Sequence, residues 1–346
     1  MGKNFYRNKK VFITGGNGFI GSHIVDKLIA LGAKTTVAIR PATHNLSDIQ
    51  RVWKSHKLRM HETSKGFSSR SGHSMKFVDL DRADELQKAL KNHEIVFHFA
   101  AVIGGRGFIN THPADCCGSF SMNQNIIKAA YDVGVDRLFF SSSACVYPVD
   151  LQKDYNTDYL LTEKDAFHNN WANADMEYGW AKLMGEMTLR AFHQQYGFKS
   201  SIARLISVYG PGAKDTHAII ALINRALRKE DPFIIWGNGE QKRDFTYIDD
   251  VVNGVLNACE FITDATPVNL GTEVRYSINE VTEMIFDVLN WHPKKIKYDM
   301  SKPEGSKSRA LDCTRAAKLL HWKPNIELRE GLEKTIAYFK NQTASY

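Results

Sequence analysis

Residues 10–32 read KVFIT-GGNGFIG-SHIVDKLIALG. An apolar run of five residues enters a glycine cluster, and the cluster opens an amphipathic stretch that ends at Gly32. The order is strand, turn, helix, and the cluster has the form G-x-x-G-x-x-G. Glycines there allow a tight turn and close backbone approach, and a helix N-terminus presents free N–H groups to a pyrophosphate. Gly15, Gly18, Phe19, Ile20 and Gly21 are therefore candidate dinucleotide contacts, and the fold class expected is α/β. A Rossmann-type, doubly wound parallel sheet is predicted, with a smaller C-terminal substrate-binding lobe.

Moving outward, residues 34–40 (KTTVAIR) form the next strand. An acid at its end would bind the ribose hydroxyls of NAD; Arg40 stands there instead, and a guanidinium suits the 2′-phosphate of NADP. NADP is the cofactor expected, with NAD as the alternative. Residues 45–59 fit a helix with Leu46, Ile49 and Trp53 on one face and Asn45 or Ser47 as its cap. The Ser/Gly-rich stretch ETSKGFSSRSGHS lacks periodicity and reads as a mobile, solvated insertion. A third strand spans residues 75–80 and a fourth 95–100, where His98 alternates within apolar neighbours and reads as a core residue. The loop AAVIGGRGF (100–108) follows, with glycines that let backbone approach a sugar.

The strand LFF (138–140) stops abruptly in Ser141-Ser142-Ser143-Ala144-Cys145. Parallel strands deliver such residues to the carboxyl edge of the sheet, where open α/β folds bind ligands. Thirty-three residues after Cys145, Tyr178 and Lys182 stand at i and i+4 on a helical stretch and share one face. An ammonium near a phenol favours the phenolate, so such a tyrosine can exchange protons near neutral pH.

The chain has 346 residues, 43% hydrophobic, and a formal charge of +7. Residues 49–76 hold seven Lys/Arg against Glu62 alone, so most of the excess is local. No nucleic-acid-binding pattern accompanies it, and a small anionic ligand is the simpler partner. Five cysteines without framework spacing suit a reducing compartment, and no stretch has the length of a membrane span or the form of a signal peptide. A soluble cytoplasmic protein without a metal site is expected. Residues 1–206 are expected to be mainly the NADP-binding domain and 207–346 mainly the substrate lobe, interleaved with it.

With these residues in place the chain resembles the extended short-chain dehydrogenases/reductases, in the branch of nucleotide-sugar epimerases and dehydratases. AAVIGGRGFINTHPAD, SSSACVYP, VYGPGAKDTHAIIAL, IIWGNGEQKRDF and SKPEGSKSRALDCTR carry the likeness over essentially the whole length. It leans first to the GDP-L-fucose synthases and next to the GDP-mannose 3,5-epimerases. The resemblance implies that Ser143 binds the sugar 4-oxygen, that Tyr178 and Lys182 are the redox pair, and that Cys145 and His217 are acid/base groups, with Lys214 nearby. It implies that Asp79 and Leu80 lie at the adenine, with Ala100 and Ala101 beside the cofactor. Arg225 and Arg243 would hold the nucleotide diphosphate. Gly105, Arg106 and Trp236 complete the expected substrate contacts, and a homodimer is implied.

The function expected is an epimerase-reductase acting on a GDP-4-keto hexose. The rivals are a 3,5-epimerase with no net redox change and, from another class, a non-catalytic NADP-binding sensor or scaffold. An intact Ser143–Tyr178–Lys182 set argues against the last, since binding alone requires no tuned phenol.

Overall fold

The structure is a computed structural model that describes residues 5–41, 46–64, 66–170 and 172–343. Asn45, one of the two expected helix caps, lies outside them. The chain begins β1 (Lys10–Thr14), α1 (Phe19–Ala30), β2 (Lys34–Ile39), α2 (Ser47–Ser55), β3 (Met60–Thr63), β4 (Gly66–Ser69), β5 (Ser74–Phe77), α3 (Ala83–Leu90) and β6 (Ile95–His98). It continues α4 (Arg106–Thr111), α5 (Pro113–Asp132), β7 (Arg137–Ser143), α6 (Met176–Tyr196), β8 (Lys199–Leu205) and α7 (Ala218–Leu227). Then come β9 (Phe233–Trp236), β10 (Lys242–Arg243), α8 (Ile248–Phe261), β11 (Asp264–Leu270), β12 (Tyr276–Ser277) and α9 (Ile278–Leu289). The described chain closes with β13 (Ile296–Asp299), β14 (Ser308–Arg309), α10 (Thr314–Leu320) and α11 (Leu328–Thr343).

Nine strands form one sheet in the order β11-β8-β7-β6-β1-β2-β5-β4-β3. From β11 to β5 every pairing is parallel. Helices cover both faces, which is why β6 is buried at all four positions and reads as a continuous apolar run. One core gathers α1, α2 and α8 on one face and runs on into the C-terminal helices; the other packs α3, α5 and α6 on the opposite face. The winding reverses between β1 and β6, so the crevice of this sheet opens at their carboxyl ends. The short sheets β12-β10-β14 and β13-β9 lie outside the main one.

The stretch expected as a solvated insertion is organised differently. β3 and β4 form an antiparallel hairpin, and β4 pairs antiparallel with β5, extending the sheet edge. Phe67 packs against Trp53 of α2 with ring centroids 6.1 Å apart, and His73 is buried against the Thr35 hydroxyl at 3.1 Å. In α2, Ser47 is the first helical residue and not the cap, and the preceding Leu46 caps with no side chain. Among the described residues no helix is long and apolar enough to cross a membrane.

Candidate active site

The glycine turn sits at the carboxyl end of β1. Gly15 has φ +68°, and a Cβ there would stand 2.8 Å from the Ala100 nitrogen; a Cβ on Gly21 would meet the Gly15 carbonyl at 2.1 Å. The first turn of α1 holds no acid, and its cap Gly18 spends no side chain on the free N–H groups. Such a turn fits a pyrophosphate, supplying backbone donors and the positive end of a helix. A cavity of about 270 Å³ beside it is lined by Asn17, Ala38, Arg40, Asp79, Leu80, Ala100 and Ala101 among others. These residues fit the adenosine half of a dinucleotide, with Arg40 and Lys214 the cations in its wall.

A polar chain behind the turn fixes the opposite wall. The Thr14 hydroxyl accepts from the Ala100 N–H at 3.2 Å and meets His98 Nδ1 at 2.7 Å. His98 Nε2 meets Asn123 Oδ1 at 2.9 Å, and Asn123 Nδ2 donates to the Ala181 carbonyl at 2.9 Å. The Asn123 amide must turn its oxygen to His98, so His98 carries its proton on Nε2 and accepts from Thr14 on Nδ1. Burial, then the charge of Lys182, push His98 down to about 3, and the ring is neutral. His98 is thus the core histidine expected, and it ties β1, β6, α5 and α6 together.

A larger cavity, about 580 Å³, opens next to the turn and is lined by Gly105, Arg106, Ser143, Cys145, Tyr178, Lys182, Lys214, His217 and Arg243, with both ends of the chain contributing. Ser143 ends β7 and caps a short 3₁₀ turn, accepting from the Cys145 N–H at 3.1 Å. The Asp175 N–H donates to the Cys145 carbonyl at 2.8 Å, so α6 starts against that turn and brings Tyr178 and Lys182 to Ser143.

Burial raises the Tyr178 phenol above the ordinary tyrosine range; a hydrogen bond with Ser143 works the other way. The Lys182 ammonium donates to the Ser141 carbonyl at 2.6 Å and lies 5.7 Å from the Tyr178 ring centroid. Burial brings that lysine down to about 8. The sequence reading placed the ammonium beside the phenol as a promoter of phenolate. In this geometry burial acts against that ionisation. His217 sits just before α7 in the cavity wall, open to the cavity's water; the protein around it and then Lys214 lower its pKa, leaving a neutral imidazole at neutral pH.

Two groups that sequence reasoning did not single out complete the wall. Asp175 is buried and receives Arg106 Nη1 at 2.8 Å and Arg309 Nη2 at 2.8 Å. Burial would raise its carboxyl, but Arg309 and Arg106 outweigh that and hold it low. Arg309 Nη1 also reaches Cys145 Sγ at 3.5 Å. Asp175 stood in view as an acid preceding a helix, and Arg309 within SKSRALDC, but only the fold joins residues 134 positions apart.

Two expected contacts are not in the cavity wall. Arg225 donates from Nε to Glu230 at 3.0 Å and from Nη2 to the Ile234 carbonyl, with its guanidinium 4.7 Å from the Phe233 ring centroid. These bonds tie α7 to β9. Trp236 is exposed, with the Lys302 ammonium 5.6 Å from its ring centroid.

A profile of the NAD dependent epimerase/dehydratase family matches residues 11–271. The chain is 33% identical to GDP-mannose 3,5-epimerase of Arabidopsis thaliana over 343 residues, covering 97% of this chain and 83% of that protein. It is 27% identical to GDP-L-fucose synthase 1 of the same plant, covering 97% and 94%. Among solved structures, UDP-glucose 4-epimerase of Thermotoga maritima with UDP-glucose superposes with a TM-score of 0.81 at 25% identity, covering 96% of this chain and 99% of that one.

Proposed function

The chain belongs to the NAD dependent epimerase/dehydratase family, and on that premise we propose that it is an NADP-dependent epimerase-reductase of a GDP-4-keto hexose, working as a homodimer. The observation that carries this reading is the placing of Cys145 and His217 in one cavity wall with Ser143 and Tyr178. A plain C4 oxidoreductase requires Ser143, Tyr178 and Lys182, and has no use for two further titratable groups.

A bound nicotinamide supplies hydride to C4 of the sugar or takes it away. The residues do the rest. Ser143 orients the C4 oxygen. A ketone at C4 acidifies the hydrogens on C3 and C5, and inversion requires one group to take the proton and another to return it from the opposite face. A thiol and a neutral imidazole can both exchange protons near pH 7. The Arg309 guanidinium, 3.5 Å from the sulfur, holds Cys145 in place as the proton acceptor. Tyr178, kept protonated by burial, gives its proton to the C4 oxygen on reduction, and Lys182 holds the backbone of β7 beneath it. Arg243 and Lys214 supply cations for the diphosphate, and Arg40 one for a 2′-phosphate.

A second reading, a 3,5-epimerase with no net redox change, is favoured by the higher identity to the GDP-mannose epimerase. One experiment separates the two. The enzyme is supplied with GDP-4-keto-6-deoxymannose or GDP-mannose in deuterated water, and both deuterium at C3 and C5 and NADPH are followed. The proposed reading expects deuterium in the product and one NADPH consumed per turnover. Deuterium without NADPH loss would favour the second reading. A product without deuterium would leave a simple reductase in which Cys145 only packs. Cys145→Ala should suppress the exchange, while Tyr178→Phe should spare it on the preformed ketone.

A further inference from the structure

Arg309 meets the thiol as one arm of a clamp. Its Nη1 lies 3.5 Å from Cys145 Sγ, its Nη2 donates to Asp175 at 2.8 Å, and its Nε donates to the side-chain oxygen of Gln152. A guanidinium is planar and its donors form a fixed fork, so anchors at Nε and Nη2 decide where Nη1 points. Asp175 alone would leave the group free to swing about one contact. Gln152 is the second anchor.

Gln152 stands behind the cavity wall and not in it. It closes a short 3₁₀ turn, Val149–Gln152, seven positions after Cys145, and it is buried. Its Nε2 donates to the Tyr147 carbonyl at 3.2 Å and to the Pro148 carbonyl at 2.9 Å. Those two bonds fix the amide, so that Oε1 is the atom turned to the guanidinium. The Gln152 backbone carbonyl accepts from the Lys307 N–H at 2.9 Å and seats the start of β14, the strand that carries Arg309. An amide holds all of these partners without bringing charge. A carboxylate there would set an oxygen against two carbonyls and, added to Asp175, would neutralise the guanidinium beside the sulfur.

We propose that Gln152 is a positioning residue for the acid/base work of Cys145: it fixes the Arg309 guanidinium, and through it the direction of the sulfur, from behind the cavity wall. This rests on the reading of Cys145 as a group that exchanges a proton with the sugar. A thiol turns easily about its Cα–Cβ bond, and a misplacement of about an ångström at a reacting atom costs rate steeply. The clamp also crosses the molecule, because Cys145 and Gln152 follow β7 while Arg309 comes from the C-terminal lobe. The direction of the thiol is thus set by how β14 is seated.

The test compares alkylation of Cys145 in the full-length protein by iodoacetate, an anion, and by iodoacetamide, its neutral counterpart, with each cysteine followed by peptide mass. Both reagents attack the same form of the sulfur, so the ratio of their rates reads the cation beside it and nothing about ionisation. Cys117, exposed on α5, is the internal reference. The wild type should show a higher ratio at Cys145 than at Cys117. Gln152→Met should lower the Cys145 ratio by at least about threefold, towards that of Arg309→Met, as a cation withdrawn from the sulfur would, and leave Cys117 unchanged. A merely structural loss would lower the melting temperature without moving the ratio. Gln152→Asn keeps the amide but withdraws it by one methylene; it should act in the same direction, and it serves if Gln152→Met does not fold. On a GDP-4-keto hexose in deuterated water, Gln152→Met should slow deuterium exchange at least about tenfold more than hydride transfer. A wild-type ratio in both variants would overturn the inference, as would equal slowing of exchange and hydride transfer. A wild type that exchanges no deuterium would remove the acid/base reading of Cys145, and the alkylation ratio, which uses no sugar, would still decide whether Gln152 holds Arg309 on the sulfur.

Discussion

Tyr178 carries its phenol in a buried setting, and the neighbouring ammonium lies 5.7 Å from its ring centroid. The group is suited to giving a proton, and removing only its oxygen should stop reduction. Tyr178→Phe is expected to lower turnover by at least about a hundredfold, the scale of a lost general acid, with NADP affinity nearly unchanged. Near wild-type turnover would take Tyr178 out of the mechanism. Arg40 follows the last residue of β2 and lines the smaller cavity. Arg40→Asp is expected to reverse the preference from NADP to NAD, read from the ratio of kcat/KM for the two cofactors; equal use of both by the wild type would make Arg40 a solvated strand end. The glycine turn, Tyr178 and Lys182 were legible because their spacing is local and each has a fixed geometric meaning. Asp175 and Arg309 were not, because their partnership exists only after β14 is laid beside the start of α6. Arg225 and Trp236 were placed by likeness of motif, and bonds within the C-terminal lobe keep the first off the wall.

At the scale of elements, the long apolar strands and amphipathic helices were legible through period and length, while β3 and β4 were not. Each is four residues long, too short for alternation to stand out, β4 is rich in Ser and Gly, and their order comes from pairing with each other, from β4 on β5 and from Phe67 on Trp53. The buried pair of Glu186 and Arg204, 2.6 Å apart, fastens α6 to β8, and the Ser142 hydroxyl of β7 donates to the same carboxylate. Arg204→Met would strand Glu186 without its partner, and chemical denaturation should record a loss of about 3–5 kcal/mol. A loss below about 1 kcal/mol would mean that Glu186 finds water or takes up a proton.

The Thr14–His98–Asn123 chain gives a pH dependence with a definite sign. An unfolded histidine takes its proton near 6.5, the buried His98 only near 3. Stability from His98 is complete above 6.5 and drains as pH falls towards 3, at up to about 1.4 kcal/mol per pH unit. His98→Gln should be less stable than wild type at pH 7, and its stability should fall less steeply between pH 6 and 4. Parallel slopes in urea denaturation would show that His98 does not titrate with unfolding.

For the whole molecule, the informative surface lies on α6, the helix that carries Tyr178 and Lys182. Its inner face buries Tyr178, Lys182, Glu186 and Leu189, and its outer face exposes Trp180, Met184 and Met187. Those three stand at i, i+4 and i+7 and form one apolar stripe. Helix α5 packs alongside α6, so the two offer a ready two-helix surface. A second copy laid on it with two-fold symmetry would make a four-helix contact in which each stripe meets its counterpart. The exposed apolar area would then be covered without touching the cavity, which opens at the other side of the same helix. Sedimentation of the wild type should give twice the mass of one chain. Met184→Glu with Met187→Glu would place four like charges at the two-fold axis and should yield monomers with NADP binding retained. A wild type that sediments as a single chain at micromolar concentration would refute the dimer. Double-mutant dimers would move its interface off α6.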